Sequence, residues 1–180
     1  EYAEYTGFTE DEVKGLCEKY DMPFDETKRW YDGYNLKGIA TYNPRSVVMS
    51  MTGHDFDSYW TSTETYEALK VYIDMNFDGL KDKVTRLVAG EKIPINPTKF
   101  QNDMTTFASA DDVLTLLVHL GYLTYDFDTC TVHIPNQEVQ KEFINCIEDG
   151  GWEPVMDAIR KSEELLAATI RGEEETVARM

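Results

Sequence analysis

The sequence predicts a mainly α-helical fold with minor β content, in which a helical bundle region is followed by a winged-helix-like helix-hairpin-helix unit. Three observations carry this. Helix-capping signals stand directly before apolar residues at helical spacing, as around Thr9 and Ser109. One stretch, Tyr122 to Ile134, alternates apolar and polar residues on both sides of an Asp-rich turn. The 180 residues are 42% apolar and 12% aromatic, enough for one substantial core or two small ones.

In order along the chain, Thr9 with Glu12 three residues later forms a capping-box pattern, with Phe8 placed to staple onto Val13. Val13, Leu16, Cys17 and Tyr20 line one face of the helix that follows, and Pro23 ends it. A short helical run from about Asp25 reaches Tyr31 and stops at Gly33. Asn43 followed by Pro44 is a strong helix start, with Val47, Val48 and Met51 on the apolar side and Gly53 closing it. Thr61, Ser62 or Thr63 can cap a helix carrying Tyr66, Leu69, Ile73 and Phe77, and another runs from about Gly79 to Ala89.

The stretch around Ile93 and Ile95 is interrupted by prolines, which suits a short edge strand or a polyproline-like passage. Ser109 and Asp112 repeat the capping-box pattern ahead of Val113, Leu114, Leu116, Leu117 and Leu120. The hairpin has Leu123 and Tyr125 on one arm, a turn over Asp126 to Thr129, and Cys130, Val132 and Ile134 on the other. Helix resumes with Val139, Phe143 and Ile147 on one face, and Gly150–Gly151 marks a joint. The expected layout is a lid-like helical domain over 1–90, an extended connector over 91–102, a winged-helix-like unit over 103–149, and a helical linker over 150–180 toward a missing C-terminal domain. The chain opens at Glu1 and stops at Met180 inside a helical pattern, so it is expected to be a piece of something larger.

Lys and Arg total 17 against 34 Asp and Glu, a formal charge of -17. Such a field repels phosphate backbones. The winged-helix-like stretch sharpens the point: between residues 104 and 145, Asp111, Asp112, Asp126, Asp128, Glu138 and Glu142 face the single base Lys141. Nucleic-acid binding is therefore the weakest of the functional readings. Three well-separated cysteines, Cys17, Cys130 and Cys146, do not make a disulfide framework; they are expected to be buried small residues in a cytoplasmic protein. No apolar run is long enough for a membrane span.

Motifs that would carry chemistry are missing. The sequence has no phosphate-binding Gly-x-x-x-x-Gly-Lys-Ser/Thr loop, no Gly-x-Ser-x-Gly, no His-Glu-x-x-His and no calcium loop. His54, His119 and His133 are isolated, so each is expected to be structural, and no pair among the acids is selected for hydrolytic work. The reading is no catalytic residue and no metal site.

The densest segment is Arg29-Trp30-Tyr31-Asp32-Gly33-Tyr34. Asp32-Gly33 is a natural turn, the aromatic rings can bury around it, and Arg29 stands within reach of Asp32. An anchored polar loop is the plain reading; a contact across a domain boundary is the functional one.

The ordered set FTEDEV, WYDGY, YNPRSV, YW, GYLT and IPNQEV, from about Phe8 to Phe143, resembles the later part of the predicted AAA-ATPase-like family, whose members often also carry a PD-(D/E)XK nuclease-like domain. Trp30, Tyr31, Asp32, Gly33 and Tyr34 match its Trp-Tyr-Asp-Gly-Tyr signature, and Tyr42, Asn43 and Pro44 its Tyr-Asn-Pro. Gly121, Tyr122 and Leu123 match the Gly-Tyr-Leu before the hairpin, and Ile134, Pro135 and Asn136 the Ile-Pro-Asn after it. Arg45 stands where the family often has Trp.

The resemblance implies that the P-loop and the Mg²⁺-holding acid lie before Glu1 and the nuclease-like carboxylates beyond Met180. This stretch would then be a non-catalytic lid or linker, with ATP and Mg²⁺ belonging only to the full-length protein. Its partners would be its own ATPase core and C-terminal domain. If the aromatic segment meets that core, Arg29 and Arg45 are better placed than Asp32 to contact nucleotide or the neighbouring domain, since a guanidinium is the group that reaches phosphate. The alternatives are an acidic protein-protein interaction adaptor and, less favoured by charge, a nucleic-acid-binding winged helix.

Overall fold

The computed structural model describes residues 7–36, 39–59, 69–75, 77, 79–99, 107–152, 161 and 169–171. They are mainly helical, with two small three-stranded antiparallel sheets. The expected caps for a helix near residue 61, and most of the helical linker expected over 150–180, lie outside the described residues.

The first lobe is built on β1 (Phe8–Thr9), α1 (Glu10–Tyr20), α2 (Phe24–Tyr31), β2 (Tyr34–Leu36), β3 (Ile39–Tyr42) and α3 (Pro44–Gly53). The capping box at α1 forms as the sequence implies: the Glu12 N–H donates to Thr9 Oγ1 at 3.4 Å, and the Thr9 N–H donates to Glu12 Oε2 at 2.8 Å. Asn43 caps α3 by accepting from the Arg45 N–H at 3.0 Å, with Pro44 in the first turn. Val13, Cys17, Tyr31, Tyr42, Val47 and Met51 bury together as one core.

The sheet of this lobe, in order β1-β3-β2, is absent from the sequence expectation. Phe8 pairs with Tyr42, and Tyr34 with Thr41. The segment after Gly33 is therefore a strand, and the aromatic motif is held at the end of a ladder.

The second lobe has a separate core that begins at Leu69 and ends at Trp152. Its elements are α4 (Leu80–Val88), β4 (Ile93–Pro94), a 3₁₀ turn at Pro97–Lys99, α5 (Ala110–His119), β5 (Thr124–Asp126), β6 (Thr131–His133) and α6 (Gln137–Asp149). The sheet order is β4-β6-β5, with Val132 opposite both Ile93 and Tyr125. Ile93 and Val132 are completely shielded or nearly so. The extended connector holds a short strand at 93–94, the edge-strand reading of this stretch, and it joins the same sheet as the hairpin, because Ile93 and Ile95 belong to that core.

Two further expectations are corrected. Cys17 and Cys146 are buried, but Cys130 is exposed: it ends the hairpin turn with φ 53° and does not begin the strand. Arg29 does not pair with Asp32. Its guanidinium binds Glu26, three residues back on α2, while the neighbour of the Asp32 carboxylate is Lys28 at 3.9 Å. Glu26 takes the guanidinium at the same i,i+3 spacing, while Asp32 has already left the helix with extended backbone at φ -79° and ψ -174°. No helix among the described residues is long and apolar enough to cross a membrane.

Candidate functional site

The motif residues converge where the two lobes meet. Helix α2 ends at Tyr31, whose buried ring packs beside Trp30 and Phe56 with centroids 6.3 Å away in both cases. Its hydroxyl donates to the Asp57 carbonyl oxygen at 3.1 Å, so burial raises its pKa without leaving the oxygen unpaired. Trp30 stacks on Phe56 and donates its indole N–H to Glu26 at 3.2 Å. These contacts fix the direction in which the chain leaves the helix.

The next three residues each bond to the second lobe. The Asp32 carbonyl oxygen accepts from Asn136 Nδ2 at 2.8 Å. The Gly33 carbonyl oxygen accepts from Thr124 Oγ1 at 2.8 Å. Tyr34 donates its hydroxyl to the Gly121 carbonyl oxygen at 3.1 Å. Burial, with the Glu138 charge behind it, pushes the Tyr34 phenol upward, so it stays a donor across the neutral range.

Gly33 has φ 108°, and a Cβ there would sit 2.1 Å from the Pro135 carbonyl oxygen. Glycine is required on both counts. The aromatic signature, the Gly-Tyr-Leu and the Ile-Pro-Asn thus form one seam.

A second polar contact braces the seam. Glu138 is buried in α6, and its Oε1 accepts from Ser46 Oγ and from the Tyr59 N–H, both at 2.8 Å. Ser46 lies one turn into α3, so the Tyr-Asn-Pro start aims this hydroxyl at the second lobe. At the exposed rim Lys141 pairs with Asp57. Sequence reasoning singled out Tyr42, Asn43 and Pro44 but missed Ser46 and Glu138. Their signal is weak in one dimension, because a serine and a glutamate 92 positions apart look like surface residues. Tyr42 is buried, and its hydroxyl has no hydrogen-bond partner among the described residues.

Between the lobes lies an open cavity of about 590 Å³, lined by residues including Asp32, Tyr34, Tyr125, Phe127, Asp128 and His133. Burial lowers the His133 pKa, with Lys92 adding to the effect. Its Nδ1 is shielded from solvent and unpaired. The two arginines take no part in the cavity wall: Arg29 is bound to Glu26, and Arg45 is exposed in the first turn of α3. Among the described residues, no group of three or more His, Cys, Asp or Glu is arranged to hold a metal ion.

Comparison with known proteins adds one relative. A 66-residue segment, 36% of this chain, is 35% identical to "Uncharacterized protein in vnfD 5'region" of Azotobacter chroococcum mcd 1. The match spans 13% of that protein's length. No family model matches the chain, and no solved structure matches it.

Proposed function

We propose that this chain is a non-catalytic lid or linker of a larger cytoplasmic P-loop ATPase, transmitting nucleotide-dependent rearrangement between a preceding ATPase core and a following nuclease-like domain. The observation that supports this reading is the seam: three consecutive motif residues, Asp32, Gly33 and Tyr34, each bond to a different part of the second lobe. A signature that joins two lobes suits a part whose work is to hold or change their relative placement. On this reading ATP and Mg²⁺ belong to the core expected outside this chain, and Arg45, exposed in the first turn of α3, is available to approach it.

The test is nucleotide turnover by the full-length protein carrying Tyr34→Phe or Asn136→Ala, each checked for folding. Loss of turnover with the fold retained supports the coupling role; unchanged turnover in both variants removes it. Hydrolysis of ATP by residues 1–180 alone at an ordinary enzymatic rate overturns the non-catalytic assignment. The formal charge of -17 favours the second reading, an adaptor for a basic protein, and specific capture of such a protein through this chain alone would decide for it.

A further inference from the structure

The seam cavity has a chemistry that the lid reading does not use. Among the described residues its wall carries three carboxylates, Asp32, Asp126 and Asp128, and no lysine or arginine. Asp126 is occupied: Oδ1 accepts the N–H groups of Asp128 and Thr129, and Oδ2 pairs with Lys92 at 3.3 Å. The other two are open. The Asp32 seam bond goes through its carbonyl oxygen, and among the described residues its carboxylate has only Lys28 at 3.9 Å. Among the described residues the Asp128 carboxylate accepts no hydrogen bond and joins no ion pair.

Beside these acids stands an aromatic surface without a cover. Phe127 is 82% exposed at the hairpin tip. The Tyr125 ring meets it edge-on, centroids 5.0 Å apart at 90°. The His133 ring borders the same wall, and burial lowers its pKa.

We propose that this cavity binds a guanidinium group, as carried by an arginine side chain. Guanidinium is planar and weakly hydrated, stacks on aromatic faces, and offers five N–H donors in a fork that fits carboxylates. An ammonium can also sit over a ring, but it is more strongly hydrated and lacks the planar fork. The volume, about 590 Å³, exceeds one guanidinium and leaves space for its methylene stem and adjoining backbone. The net charge of -17 raises the local concentration of cations. Binding at this wall does not depend on any ATPase core.

The test is calorimetric titration of the 180-residue chain with N-acetyl-Gly-Arg-Gly-amide, with the citrulline and lysine versions, and with free arginine amide. Saturable binding of the arginine peptide, about tenfold tighter than its uncharged citrulline twin, is expected. Asp128→Asn and Phe127→Ala, both at exposed positions, should each weaken it severalfold without moving the melting temperature. Equal affinity for peptide and free arginine amide identifies a small-molecule site; preference for the peptide identifies a protein partner, and both support the proposal. Equal binding of citrulline, indifference to both substitutions, or no binding up to about 10 mM overturns it.

Discussion

The Asn136 side chain donates through Nδ2 to the carbonyl oxygen of Asp32 at 2.8 Å, across 104 positions of sequence. Its Oδ1 accepts the Val139 N–H at 3.0 Å and caps α6. One residue therefore starts α6 and docks it against the exit of α2. Asn136→Asp keeps the capping oxygen but faces an oxygen with an oxygen. It is expected to preserve helix content and cost about 1–3 kcal/mol in urea unfolding; unchanged stability would show that the docking bond contributes nothing.

Gly33→Ala is expected to be more damaging than any surface change. The new methyl meets the Pro135 carbonyl oxygen at 2.1 Å, and φ 108° is unfavourable for an L-residue. Strain of that backbone kind costs about 1–3 kcal/mol before the overlap is counted. A thermal melt matching the parent would contradict the close approach.

Val132→Asp tests the second lobe's sheet. Val132 is fully buried between Ile93 and Tyr125, so the substitution places an unpaired charge in the core. The expected loss is several kcal/mol, about 3–5 on the scale of uncompensated buried charges. Retention of the parent melting temperature would mean that the hairpin face is open to solvent.

Ser46→Ala removes one donor from the buried Glu138 carboxylate. Hydrogen bonds to charged groups contribute about 1.5–3 kcal/mol. A double-mutant cycle with Glu138→Gln should therefore return a coupling energy above ~0.5 kcal/mol. Strict additivity would show that the two lobes are not braced there.

Strong acid should loosen the junction of α1 and α2. Lys14 and Lys28 bond to the Glu10 carboxylate at 2.7 and 2.8 Å and hold its pKa at about 2, against an ordinary 4.5. With the folded value depressed, this contribution is present above pH 4.5 and fades as the pH falls toward 2. A carboxyl NMR titration should place Glu10 near pH 2, and Lys28→Ala should move it upward. His133 acts in the same direction: burial lowers its pKa, so the stability tied to its neutral ring is present above its ordinary 6.5 and declines below it. A Glu10 midpoint at its ordinary value would disprove the double pairing.

Local signals carried much of the fold. Thr9, Asn43, Ser109 and Asn136 all cap helices, because a cap is an interaction between neighbours in sequence. The helical periodicity at Val13 and Cys17, and at Val139, Phe143 and Ile147, matches the buried faces. The first sheet was harder to see: Tyr34–Leu36 and Ile39–Tyr42 flank Lys37-Gly38 as a hairpin would, but strands of three and four residues are too short for alternation to stand out.

The site was legible as a motif and opaque as a geometry. Tyr34 meeting Gly121 and Gly33 meeting Thr124 are contacts 87 and 91 residues apart, and no local pattern encodes them. The Asp32–Arg29 pair had looked natural by proximity. It does not form, because α2 turns Arg29 toward Glu26.

The order of the two cores along the chain has a consequence for biosynthesis. The first core draws on residues 8–59 and the second on residues 69–152, with no interleaving. A ribosome therefore releases everything the first core needs before the second is complete, and domains fold as units in that order. Ser46 and Tyr34 then wait for partners that emerge 92 and 87 residues later. At ~5–20 residues per second, that interval is about 4–18 s. During it a nascent first lobe presents its docking face bare, and this is when a chaperone would have something to hold.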